Sequence, residues 1–127
     1  MIAFYIDSNN NNRCVKINAK EICKISQQNI LNMIESTVIH AGEGYCLIIN
    51  VEKICIADIQ RNTKTIESLA KLFWNLPEVN KCNIINAPLC FEQIFKLIKP
   101  YIKSDRLTKL NIQYKNKNNI NEYESSY

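Results

Sequence analysis

The sequence has only two glycines, Gly42 and Gly44, and both follow a helical stretch rather than a strand. A dinucleotide site on an α/β frame uses a glycine-rich turn directly after the first strand, so its absence argues against that function. There is one histidine, His40, and no Gly-x-Ser-x-Gly, which leaves a serine hydrolase without a base or an elbow for its nucleophile. The six cysteines stand at 14, 23, 46, 55, 82 and 90 with no Cys-x-x-Cys and no histidine spaced to complete a zinc site. Neither a metal nor a cofactor is expected. Carboxylates such as Glu21, Glu35, Glu78 and Glu92 carry no acid–base motif, and the chain is read as a non-enzyme.

Long apolar runs are missing too. None approaches the roughly 18 residues that span a bilayer. Met1 to Ile6 stops at Asp7, before Ser8 and four asparagines, without the basic start and longer apolar stretch of a signal peptide. The expected compartment is the cytoplasm, where six free thiols behave as small hydrophobes.

What remains is a chain of 127 residues, 46% hydrophobic and 22% charged, the balance of one soluble globular domain. Its net charge of +4 is unevenly placed. From Lys81 to Lys117 the basic residues Lys81, Lys96, Lys99, Lys103, Arg106, Lys109, Lys115 and Lys117 face only Glu92 and Asp105. Such an end suits an anionic membrane surface at about 1 kcal/mol per well-placed cation. A nucleic-acid partner is not expected.

Met1 to Ile6 reads as a strand and the polar cluster after it as a loop. From Ala19 to Val38, Ile22, Ile25, Ile30, Met33, Ile34 and Val38 recur at helical steps, with Asn18 and Glu21 as a capping pair and His40 near the end. Tyr45 to Val51 is a nearly continuous apolar run, the pattern of a central parallel strand. Asp58 is positioned to cap a second helix carrying Ile59, Ile66, Leu69, Ala70 and Phe73. Cys82 to Asn86 forms a further buried strand. A greasy helix from Leu89 to Ile102 follows, with Phe91, Ile94, Phe95 and Ile98 on its apolar stripe. Lys109 to Tyr114 alternates as a fourth strand. The expected fold is therefore α/β, a mostly parallel four-stranded sheet with crossover helices over residues 1–114, and 115–127 is expected to be a disordered polar tail.

The most informative stretch is Leu76-Pro77-Glu78, Lys81-Cys82-Asn83-Ile84-Ile85-Asn86-Ala87-Pro88, Phe91, Lys99-Pro100-Tyr101-Ile102 and Leu107-Thr108-Lys109-Leu110. It resembles the CRAL-TRIO lipid-binding domain of phosphatidylinositol-transfer proteins. In that family a Tyr-Pro-Glu helix end leads to a strand ending Ile-Asn-Ala-Pro. A helix with Lys-Pro-aromatic-aliphatic, a polar turn and a lysine-bearing strand come next. The order and spacing agree over residues 76–110, with one residue fewer between Glu78 and Lys81. Over residues 1–51 the resemblance rests on the order of elements.

The resemblance implies a truncated CRAL-TRIO-like lobe that binds, and exchanges between membranes, a phosphoinositide or other amphipathic lipid. Its partners would be a phospholipid ligand and, transiently, a membrane surface. The 89–102 helix would be the gate, with Phe91, Ile94, Phe95 and Ile98 against the acyl chains. Glu78 and Lys109 fall on positions that help hold an inositol-phosphate headgroup, and Arg106 stands where the family has a threonine. Asn50-Val51-Glu52-Lys53 replaces the usual Asp-x-x-Gly, and the hydroxyl residues that assist choline-lipid binding would fall near Tyr45 and Leu47. The alternative is a non-enzymatic interaction module with a protein partner that kept the fold and lost lipid exchange.

Overall fold

The structure, a computed structural model, describes residues 2–7 and 11–115. Ile2–Asp7 (β1) and Asn12–Asn18 (β2) form an antiparallel hairpin, turned through Asn11 at φ +58°. Asparagine tolerates this left-handed conformation better than most residues. β2, Tyr45–Asn50 (β3), Val79–Ala87 (β4) and Leu110–Tyr114 (β5) then pair in parallel, in chain order across the sheet. The mostly parallel α/β architecture is as expected, with five strands rather than four. The added strand, β2, is Arg13-Cys14-Val15-Lys16-Ile17 between asparagines, a segment too short and without the strict alternation that would make it stand out.

Helices fill the crossovers: Ala19–Ile22 (α1) and Gln27–Ala41 (α2), Ile56–Arg61 (α3) and Thr63–Asn75 (α4), then Phe91–Ile98 (α5), a 3₁₀ turn at Lys99–Tyr101 and Ser104–Leu107 (α6). The expected first helix is thus two. Asn18 accepts from the Glu21 N–H at 3.3 Å and caps α1, while Ser26 accepts from the Asn29 N–H and starts α2 afresh. Gly42, at φ +80°, ends α2 where an added Cβ would meet the Arg13 guanidinium, which itself bonds the carbonyls of Ala41 and Glu43. The second helix breaks at Asn62, whose side chain donates to the Asp58 carbonyl. The third stops at Ile98 because Pro100 cannot continue an α-helical ladder, and the chain tightens to 3₁₀. Among the described residues, no helix is long and apolar enough to cross a membrane.

Because the parallel strands follow chain order, crossovers of one hand stack the helices on a single face of the sheet. The registers agree, for they align Val15, Leu47, Cys82 and Leu110 in one row and Ile17, Ile49, Ile84 and Ile112 in another, all within the core cluster. The intervening row, Lys16, Ile48, Asn83 and Asn111, points to the opposite face. Asn86, at φ +59°, interrupts the ladder between Ile84 and Ala87 and donates to Asn50 Oδ1 at 3.2 Å. The family-like Ile-Asn-Ala-Pro therefore marks a strand end tied to its neighbour. Lys115, assigned by the sequence to the tail, is held by its N–H to the Ala87 carbonyl and by its ammonium to Glu52, 2.8 Å away. The rest of that segment, 116–127, lies outside the described residues.

Candidate functional site

α4 carries an apolar stripe, yet Ile66, Leu69, Ala70 and Phe73 are only half-buried. The reason is the space beneath it. A cavity of about 280 Å³ lies between the helical face of the sheet and α3, α4, α5 and α6. Its walls are almost wholly apolar side chains from β2, β3, β4 and all of these helices. α5 supplies one wall. Phe91 and Ile94 are fully buried anchors, while Phe95 and Ile98 are half-buried, and the Phe91 and Phe95 rings stack at 6.1 Å. All four predicted gate residues line the cavity.

The three predicted headgroup residues divide. Arg106, on α6, lines the cavity and donates to the Phe73 carbonyl at 2.8 Å, which ties α6 to the end of α4. Glu78 and Lys109 do not line it. They pair with each other outside the wall, where β4 and β5 begin, at 2.8 Å, and Lys109 also bonds the Val79 carbonyl. The Lys109 hydrogen bond holds the Glu78 carboxyl below its ordinary range, with Arg106 contributing to the same field.

Two polar groups at the cavity were not legible as site residues. At the starts of the strands, Tyr45 is fully buried and its hydroxyl has no hydrogen-bond partner among the described residues. Burial raises its pKa, so the phenol stays protonated as a donor. A tyrosine inside a central strand is itself a signal, since its hydroxyl must find a partner when buried.

At the opposite ends of the strands, Asp58 is 3% exposed. It is held by Lys20 at 2.8 Å, Arg61 at 3.2 Å and the Cys55 N–H at 3.0 Å. The expected cap is instead the third residue of α3, closing a capping box with Cys55. The Lys20 hydrogen bond, despite the burial, brings its carboxyl down to about 2. Asp58 is thus a charge already matched, which locks α1 to α3, while Tyr45 is a donor left open.

The fold is thus a one-sided α/β layer with an apolar cavity between sheet and helices. The CRAL/TRIO domain family matches residues 4–126, and the chain belongs to that family. Among solved structures it is similar to the one titled "Crystal structure of Sfh5", with a TM-score of 0.59 at 11% identity over 96% of this chain and 49% of that one. The chain therefore spans about half the length of that structure. No curated protein matches it in sequence.

Proposed function

We propose that the chain binds an amphipathic lipid in the cavity under α4 and α5 and carries it between membranes. Phosphoinositides, which the family resemblance implies, are among the candidate ligands. The observation that supports this most is the cavity itself, about 280 Å³ lined almost throughout by apolar side chains. An interaction module with a filled core would have no use for it. Arg106 is a cation in the cavity wall that can attract an acidic headgroup, and Lys109, held by Glu78 outside that wall, adds positive charge for a headgroup that reaches beyond the cavity. Lys96 and Lys99 are exposed beside the exposed Leu97 in and just after α5, and Leu89, 80% exposed, precedes that helix, features suited to brief contact with an anionic bilayer. Transfer of labelled phosphatidylinositol and phosphatidylcholine from vesicles to the protein tests the proposal. Uptake of labelled lipid that declines when Phe95 becomes Asp is expected, and a protein that acquires no lipid from anionic or neutral vesicles refutes it.

A further inference from the structure

We propose that the free edge of β1 is an interface for a second copy of this chain. The two β1 strands pair antiparallel about a two-fold axis, so that one sheet runs through both copies. No residue of β1 lines the cavity, and the surface is therefore independent of the lipid reading.

β1 ends the sheet, and an edge strand presents N–H and C=O groups that only water or another chain can take. Natural edges are protected by lysine, proline, a bulge or short length. The opposite edge, β5, has such protection. It is five residues long, its ladder to β4 is interrupted between Ile84 and Ala87, and Lys109 and Lys115 flank it. β1 has none. Its six residues pair with β2 without a break and include neither lysine nor proline. Apolar surface lies along the same edge, with Ile6 58% and Tyr5 41% exposed.

Alternation and charge decide what fits there. Ile2, Phe4 and Ile6 belong to the helical face of the sheet, and Ala3, Tyr5 and Asp7 to the open face. With both helical layers on one side of a joined sheet, residues opposite one another across the new pair come from the same set. The register with Tyr5 opposite Tyr5 sets Ile6 of each copy against the half-buried Phe4 of the other, and Asp7 against Ala3. On its inner side Ala3 pairs with Lys16, which is exposed and has no ion-pair partner among the described residues.

Lys16 and Asp7 of the second copy then stand two strand spacings apart, about 10 Å between Cα atoms, within the joint reach of their side chains across the small Ala3. A carboxylate accepts several hydrogen bonds, so Asp7 keeps the contact it already has. The two Asp7 residues stay about 14 Å apart, beyond the screening length at physiological salt. The edge is thus complementary to itself in face, side-chain size and charge, the requirement of a two-fold interface, and this selects a second copy over an unrelated strand.

Sedimentation velocity of the full chain, over a dilution series at low and high salt, is the test. A reversible monomer–dimer equilibrium that weakens at high salt is expected. Ile6→Lys places a charge in the pairing surface at a position already exposed, and should weaken the dimer at least about tenfold. Lys16→Glu and Asp7→Lys should each weaken it about three- to tenfold, and the double variant carrying both should recover most of that loss. Far-UV circular dichroism matching the parent reports that each variant has folded, and Ile6→Lys with Lys16→Glu decides the matter should Asp7→Lys fail to fold. A chain sedimenting as the 14.8 kDa monomer at every concentration up to about 1 mM overturns the proposal. So does a dimer that Ile6→Lys and Lys16→Glu leave unchanged, since its contact then lies elsewhere.

Discussion

Lys109 Nζ lies 2.8 Å from the Glu78 carboxylate and 3.1 Å from the Val79 carbonyl, so the turn entering β5 is clamped over the start of β4. The two residues that the family resemblance selects from opposite ends of a crossover therefore meet in space. Their contact explains why both types occur there without a ligand, and it sets what a ligand must compete with.

Both side chains reach solvent, and an exposed pair contributes little to stability. Lys109→Ala is expected to leave the thermal midpoint near that of the parent while weakening an anionic amphiphile about two- to tenfold, less at high salt. Glu78→Gln keeps an acceptor for Lys109 and removes the opposing charge, so it should strengthen the same ligand. Calorimetry at low and high salt checks both signs.

Asp58 gives the fold an acid-sensitive joint. Its carboxyl titrates at about 2 when folded against an ordinary 3.8. A group depressed in this way adds stability that is fully present above its unfolded pKa and is lost as pH falls through the folded value. The contribution should hold at pH 5 and above and fade between about pH 4 and 2. Asp58→Asn should lose it at neutral pH and show a flatter stability profile across that window, measured by denaturant unfolding at each pH.

On α5, anchoring and lining separate by residue. Phe91 is buried to 1% exposure, so Phe91→Ala should cost about 3–5 kcal/mol. Phe95 is half-buried against the cavity, and Phe95→Ala should cost clearly less because one side of its ring already faces empty space. Chemical denaturation of the two variants gives the comparison.

The cysteines offer a graded probe of the same core. Cys55 and Cys90 are exposed, whereas Cys14, Cys46 and Cys82 are buried, and burial pushes the Cys82 thiol up to about 12. In the native protein a thiol reagent should label Cys55 and Cys90 first and Cys82 only on unfolding. After denaturation without reductant all six should react, and a shortfall of two, read by mass, would reveal a disulfide.

Much of the architecture was legible because its signals are local. The apolar run of β3, the stripe of α5 and the Asn18–Glu21 cap follow from spacing alone. β2 was not, since five residues without strict alternation between Asn12 and Asn18 look like loop until β1 and β3 pair with them. The helix breaks at Ser26 and Asn62 were also hidden, because the apolar periodicity runs across them while side chains mark the breaks, Ser26 by capping the start of α2 and Asn62 by bonding the Asp58 carbonyl. At the site, the motif in 76–110 selected Arg106, Lys109 and the α5 residues. Tyr45 and Asp58 escaped because their significance lies in what does or does not reach them from distant elements.

Native mass spectrometry of the purified chain, after incubation with vesicles of mixed lipid composition, tests most directly whether the cavity is a lipid site. The account predicts a one-to-one lipid adduct that is retained by the parent and lost in a folded Phe95→Asp variant. A spectrum showing only the bare 14.8 kDa chain under every vesicle composition would contradict it.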